Sequence, residues 1–119
     1  MPFTSLTIDD FAAQLAAGTS TPGGGAAAGL MAKLSACLVQ MVANHTAGRP
    51  RYAAVEERMQ AILAEAARLG QRAGELMDAD AAAFGGVSAA FRLPREDPSR
   101  APAVSDACKV ATDVPLEVI

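Results

Sequence analysis

The chain has 119 residues, the length of one domain. Hydrophobic residues make up 51% and aromatics only 4%, with alanine supplying most of the difference; a chain so poor in β-branched and aromatic residues favours helices over strands. The net charge of −3, with no basic stripe carrying interleaved aromatics, excludes nucleic acid as an expected partner.

The opening MPFTSLTIDDF has no basic region leading into an apolar core. A secretory signal is not expected of it, and the expected compartment is cytoplasmic. Thr7 followed by Asp10 predicts an N-cap with an acidic first turn. Ile8, Phe11, Ala12 and Leu15 then recur at helical spacing, and Gly18 marks the end of that short helix.

A second helix is predicted from Gly25 to His45, before the stop signal Ala47-Gly48-Arg49-Pro50. Gly25, Gly29, Ala32, Ala36 and Ala43 fall on one side of it and permit close approach of another backbone. Leu30, Leu34, Leu38 and Met41 lie elsewhere on its surface. A helix apolar nearly all round is expected to be buried on most sides. Lys33, Ser35 and Gln40 interrupt the apolar run, so a membrane is not expected as its partner.

The third helical stretch runs from Tyr52 to Phe91. One stripe on it reads Val55, Met59, Ile62, Ala66, Leu69, Ala73, Leu76, Asp80, Phe84, Val87, Phe91, every step three or four residues. Unbroken, it would be ~60 Å long, about twice a small domain's diameter. A chain this size cannot cover such a helix alone, which points to a second copy as partner. Gly85-Gly86 is the place where it would break. After Leu93-Pro94 the segment REDPSRAP is a loop. Val104, Ala107, Cys108 and Ala111 set a last helix, which Pro115 is expected to kink or restart. Cys37 and Cys108 sit in apolar runs and are expected to be reduced and buried.

The glycines of TSTPGGGAAAGL, residues 19 to 30, are not a phosphate loop. Gly23, Gly25 and Ala28 satisfy G-x-G-x-x-A, but a helix and a proline precede them where that fingerprint needs a strand. No Lys-Ser/Thr follows for a Walker loop. Glycines can adopt backbone angles that other residues avoid, and N–H groups at a helix start attract anions. Two readings stay open: a carboxylate-bearing ligand at the helix start, or tight packing with none.

Asp80 is the most informative polar residue. It interrupts the stripe between Leu76 and Phe84. A carboxylate on a buried face needs a partner, a structural Arg or Lys, or else serves as a proton carrier. Asp78 lies about 200° round the helix from it, so the two form no dyad on one surface. Asn44 and Gln40 also need partners in their apolar helix. His45 is the only histidine, and no metal-ligand spacing surrounds it; near a helix end it suits the dipole.

These pieces together resemble the cyclodeaminase/cyclohydrolase family: TPGGGAAA at 21 to 28, MVANHTAGRPRY at 41 to 52, DADAAAF at 78 to 84, FRLP at 91 to 94 and VPLEV at 114 to 118. The ordered set spans nearly the whole chain. The resemblance implies an all-α fold, a multi-helical antiparallel bundle with one long central helix, assembling as a homodimer. It implies a tetrahydrofolate derivative as substrate and no cofactor or metal beyond it. The reaction would be that of a methenyltetrahydrofolate cyclohydrolase or a formimidoyltetrahydrofolate cyclodeaminase, by general acid–base catalysis. By the same carry-over Asp80 is the catalytic proton acceptor. Gly23, Gly24, Gly25 and Asn44 would line the folate site, and Arg92 would meet the folate carboxylates. Ala26 stands where the family usually has a serine, and Lys33 where it has a small residue. Members continue with further helices, so residues 1 to 119 are expected to be such a domain truncated at its C-terminus. The alternative is a non-catalytic helical oligomer derived from that family.

Overall fold

The computed structural model describes residues 2–119. A 3-10 turn over Phe3–Ser5 leads into α1 (Ile8–Ala16), α2 (Gly24–Thr46), α3 (Glu56–Phe91) and α4 (Arg100–Val118). A second 3-10 stretch, Pro50–Val55, joins α2 to α3. Among the described residues there is no strand, and the fold is the all-α bundle around one long helix that the sequence predicts.

The Thr7 hydroxyl accepts the Asp10 N–H at 3.0 Å and starts α1. Asp9 and Asp10 in the first turn complement the helix dipole. Gly18, at φ 78°, turns the chain away after α1. Phe11 is the buried residue of this helix; its ring meets Phe3 edge-on, centroids 5.8 Å apart. Ala26 and Met77 complete that small core, with Leu6 and Leu30 packed against it.

α2 and α3 run antiparallel and close. A Cβ added at Gly29 would come within 2.8 Å of Met77 Cγ and 3.2 Å of the Ala73 carbonyl. One added at Gly70 would touch Ala36 Cβ at 3.4 Å. The predicted small-residue side of α2 is thus answered by Ala66, Gly70, Ala73 and Gly74, all buried on α3. Lys33 lays its stem over Gly74, and its Nζ donates to the Gly70 carbonyl at 3.4 Å. A lysine can thread this seam because both glycines leave room for its methylenes.

α3 has 36 residues and continues through Gly85-Gly86 without a break. At about 1.5 Å per residue it is a rod of about 54 Å. It begins later than predicted, because Tyr52 has non-helical angles within the 3-10 stretch. α4 returns along the rod's second half: the Arg100 guanidinium sits 5.5 Å from the Phe91 ring centre at one end, and Arg72 bonds Glu117 at the other. Pro115 neither kinks nor restarts α4. It stands in the last turn, where the missing N–H removes a single bond and few residues follow.

The molecule measures 70 × 29 × 18 Å, with a radius of gyration of 19.1 Å. A compact chain of this length would have about 13 Å. This thinness corrects two expectations, one for α2 and one for the cysteines. α2 is not buried on most sides: Met31, Leu34, Leu38, Met41 and Val42 are exposed, Met31 to 63%. The α3 stripe is buried only in part, as expected of a rod that one chain cannot cover: Leu69, Phe84 and Phe91 are exposed. Cys37 and Cys108 are exposed, not buried. α2 has the length and composition of a membrane-crossing helix.

Candidate functional site

Gly23 caps α2 from an extended conformation, φ −117° and ψ −160°. None of Gly23, Gly24 and Gly25 has a positive φ, so the turn does not use the conformational freedom of glycine. Space matters instead, and at one position far more than at the others. A Cβ on Gly24 would meet nothing within 4 Å, and one on Gly23 would meet the Ser20 carbonyl at 3.3 Å. One on Gly25 would overlap the Asp80 carboxylate, whose Oδ1, Cγ and Oδ2 are its nearest atoms.

Asp80 is therefore pressed against the first turn of α2, half-buried on the face of α3 that meets that helix. Among the described residues no Arg or Lys pairs with it, and no hydrogen bond reaches its oxygens. The structural partner that would explain a carboxylate here is missing. Gly23 offers no side chain to cap α2, so the N–H groups of the first turn have no side-chain acceptor. A free acceptor thus sits beside free donors, an arrangement able to move a proton and hold an oxygen-bearing group together.

Within one chain the structure brings Gly23, Gly24 and Gly25 to Asp80 and leaves the other predicted site residues apart. Asn44 is exposed near the far end of α2, about 28 Å along the axis from Gly25. Arg92 is exposed as the C-cap of α3, about 18 Å along the axis from Asp80. His45, in the last turn of α2, is exposed; its carbonyl accepts Arg49 Nε at 2.7 Å.

Sequence reasoning missed an apolar groove of about 480 Å³ between α2, α3 and the end of α4. Ala36, Val39, Ile62, Ala66 and Leu69 line it, with Arg72 and Glu117 also on its wall. Its Leu76 end lies one turn from Asp80. The α3 stripe held part of the signal, since Ile62, Ala66 and Leu69 belong to it, but periodicity alone does not separate a groove wall from a packed core.

Residues 7–119 match the family model described as formiminotransferase-cyclodeaminase. The chain is 38% identical to the methenyltetrahydrofolate cyclohydrolase of Methylorubrum extorquens, over 92% of this chain and 55% of that protein. It is 31% identical to the mouse (Mus musculus) formimidoyltransferase-cyclodeaminase, over 94% of this chain and 21% of that protein. The crystal structure of formiminotetrahydrofolate cyclodeaminase from Thermotoga maritima superposes with a TM-score of 0.87 at 28% identity, covering 97% of this chain and 55% of that one. The chain thus spans about half the length of the cyclohydrolase and of the solved cyclodeaminase, and a smaller part of the mouse protein. Matched from its first α-helix onward, with Gly25 and Asp80 inside the matched stretch, the chain belongs to the formiminotransferase-cyclodeaminase family.

Proposed function

We propose that the chain acts in folate one-carbon chemistry, as a methenyltetrahydrofolate cyclohydrolase or a formimidoyltetrahydrofolate cyclodeaminase, with Asp80 as general acid–base. The observation that carries this is the unpaired Asp80 carboxylate beside the uncapped first turn of α2. The cyclohydrolase reading comes first, because the relative with that name is 38% identical.

In that reaction water adds to the methenyl carbon, and a carboxylate takes the proton released by the attacking oxygen. The tetrahedral adduct's hydroxyl then loses its remaining proton to solvent as the carbon collapses to a formyl group; one of the carbon's two C–N bonds breaks, and the departing nitrogen accepts the proton that the carboxylate had taken. One acid–base group placed at that carbon serves both transfers. Positioned proton transfer of this kind contributes about 10²–10⁴-fold. No cofactor beyond the folate takes part in this scheme, and the compartment is the cytoplasm.

The working form in this reading is a homodimer. The exposed stripe of Met31, Leu34, Leu38, Met41 and Val42 supports it, because a two-fold pairing would cover that stripe with its own copy. Two α2 helices crossing antiparallel would carry the Asn44 end of one toward the Gly25 end of the other. That is how residues far apart in one chain could line one folate site.

The test is absorbance at the methenyl chromophore, in a buffer where spontaneous hydrolysis is slow, with Asp80→Asn beside the wild type. Accelerated loss that the variant abolishes supports the cyclohydrolase. No acceleration by a folded sample moves the test to the formimino substrate and release of ammonia. Failure with both substrates would leave a non-catalytic assembly protein as the better reading.

A further inference from the structure

A glycine in a helix at ordinary helical angles costs up to about 1 kcal/mol relative to alanine, so it calls for a reason. Gly24 and Gly25 stand side by side in the first turn of α2 and differ in what surrounds them. Gly24 faces open space, whereas Gly25 faces the Asp80 carboxylate. Gly29, one turn on, is different again: its added Cβ would strike Met77 and the Ala73 backbone, so that glycine serves the approach of the two helices.

We propose that Gly25 is a positioning residue for Asp80: its missing side chain is the space in which the carboxylate lies. The inference rests on the catalytic reading of Asp80 given above. A methyl at position 25 would overlap Oδ1, Cγ and Oδ2, the free end of a short flexible side chain. Rotation of Asp80 relieves that overlap without moving either helix. Gly25→Ala therefore acts on where the carboxylate points and spares the packing of α2 on α3. A displacement of about 1 Å at a reacting group costs on the order of 10²-fold in rate.

The experiment uses the full chain as wild type, Gly25→Ala, Asp80→Asn and the double variant. Three readouts are taken: thermal melting, kcat and KM with 5,10-methenyltetrahydrofolate, and the side-chain carboxyl ¹³C resonances of Asp78 and Asp80. The proposal expects Gly25→Ala to melt at or above the wild type. It expects the Asp80 resonance to move while that of Asp78 stays. It expects kcat to fall about 10²-fold, with KM changed by no more than about twofold. Added to Asp80→Asn, Gly25→Ala should lower turnover no further, because both act through one carboxylate.

An unmoved Asp80 resonance, or a markedly lower melting temperature for Gly25→Ala, would overturn the proposal and make Gly25 a packing residue. So would full turnover in Gly25→Ala alongside lost turnover in Asp80→Asn. Unchanged turnover in Asp80→Asn would instead sink the catalytic reading, and the carboxyl resonance would still decide whether Gly25 holds Asp80 in place.

Discussion

Asp78 and Asp80 stand two positions apart on α3 and meet opposite surroundings. Asp78 Oδ1 accepts the Phe3 N–H at 3.0 Å and ties the N-terminal 3-10 turn to the rod. Asp80 has no such bond among the described residues and abuts Gly25. The rotation of ~100° per residue separates them, sending one toward the chain's N-terminus and the other toward α2. Asp78→Ala should therefore cost about 1–2 kcal/mol in urea unfolding and leave turnover intact. Asp80→Asn should leave stability within about 0.5 kcal/mol and lower turnover by ~10² or more.

The seam between α2 and α3 should tolerate no added bulk at Gly29. Its added Cβ would strike Met77 Cγ and crowd the Ala73 carbonyl, and a carbonyl in a helix cannot swing aside. Gly29→Val should destabilise by about 1–3 kcal/mol in a denaturant titration. Gly24→Val, with open space around the position, should change stability much less.

The outer stripe of α2 should control assembly. Leu34 and Leu38 are 54% and 60% exposed and lie one turn apart. Leu34→Glu with Leu38→Glu should convert a dimer to monomers in light scattering while the helical circular dichroism of the chain persists. The same pair of substitutions should also lower turnover if the folate site draws on both copies. A wild-type chain that binds to neutral lipid vesicles and scatters as a monomer would defeat the dimer reading and favour a membrane for this helix.

Glu56 supplies a pH dependence. Gln60 Nε2 donates to its Oε1 at 3.0 Å and the Gly48 N–H to its Oε2 at 2.8 Å. These bonds, the Gln60 one first, hold its carboxyl below the ordinary carboxylate value. A carboxyl depressed in the folded state contributes stability that is complete above its unfolded value, and that contribution is lost as pH falls through the folded one. Melting temperature should thus decline on acidification below about pH 4.5, and Glu56→Gln should flatten part of that decline. The effect is small, since the group is exposed to solvent.

Much of this fold can be read in the sequence because its signals are local. Thr7 and Asp10 form the cap that their spacing announces, and Gly18 ends α1. The small residues of α2 meet small residues of α3 because side-chain size alone sets how near two helices come. What the sequence did not convey is cover. The stripe of α2 says which faces are apolar and nothing about whether the same chain shields them, so Leu34 and Cys37, expected inside, stand outside. Asp80 stood out because a carboxylate breaks an apolar rhythm. Its contact with Gly25 joins positions far apart in the chain, and no periodicity holds that information.

The order of contacts along α3 has a dynamic consequence. α2 lies on the rod as far as Asp80 and α4 from Arg72 to Phe91, and the two meet each other over less surface than either shares with α3. Either neighbour can detach without dismantling the other, so the chain should open in stages rather than all at once. Amides of α4, which buries no side chain fully, should exchange with solvent through such peeling. Those on the α3-facing side of α2 should wait for larger openings. Asp80 lies between the Arg72 and Phe91 contacts of α4 and opposite the start of α2. A reaction there would share the breathing of the looser neighbour and the rigidity of the tighter one.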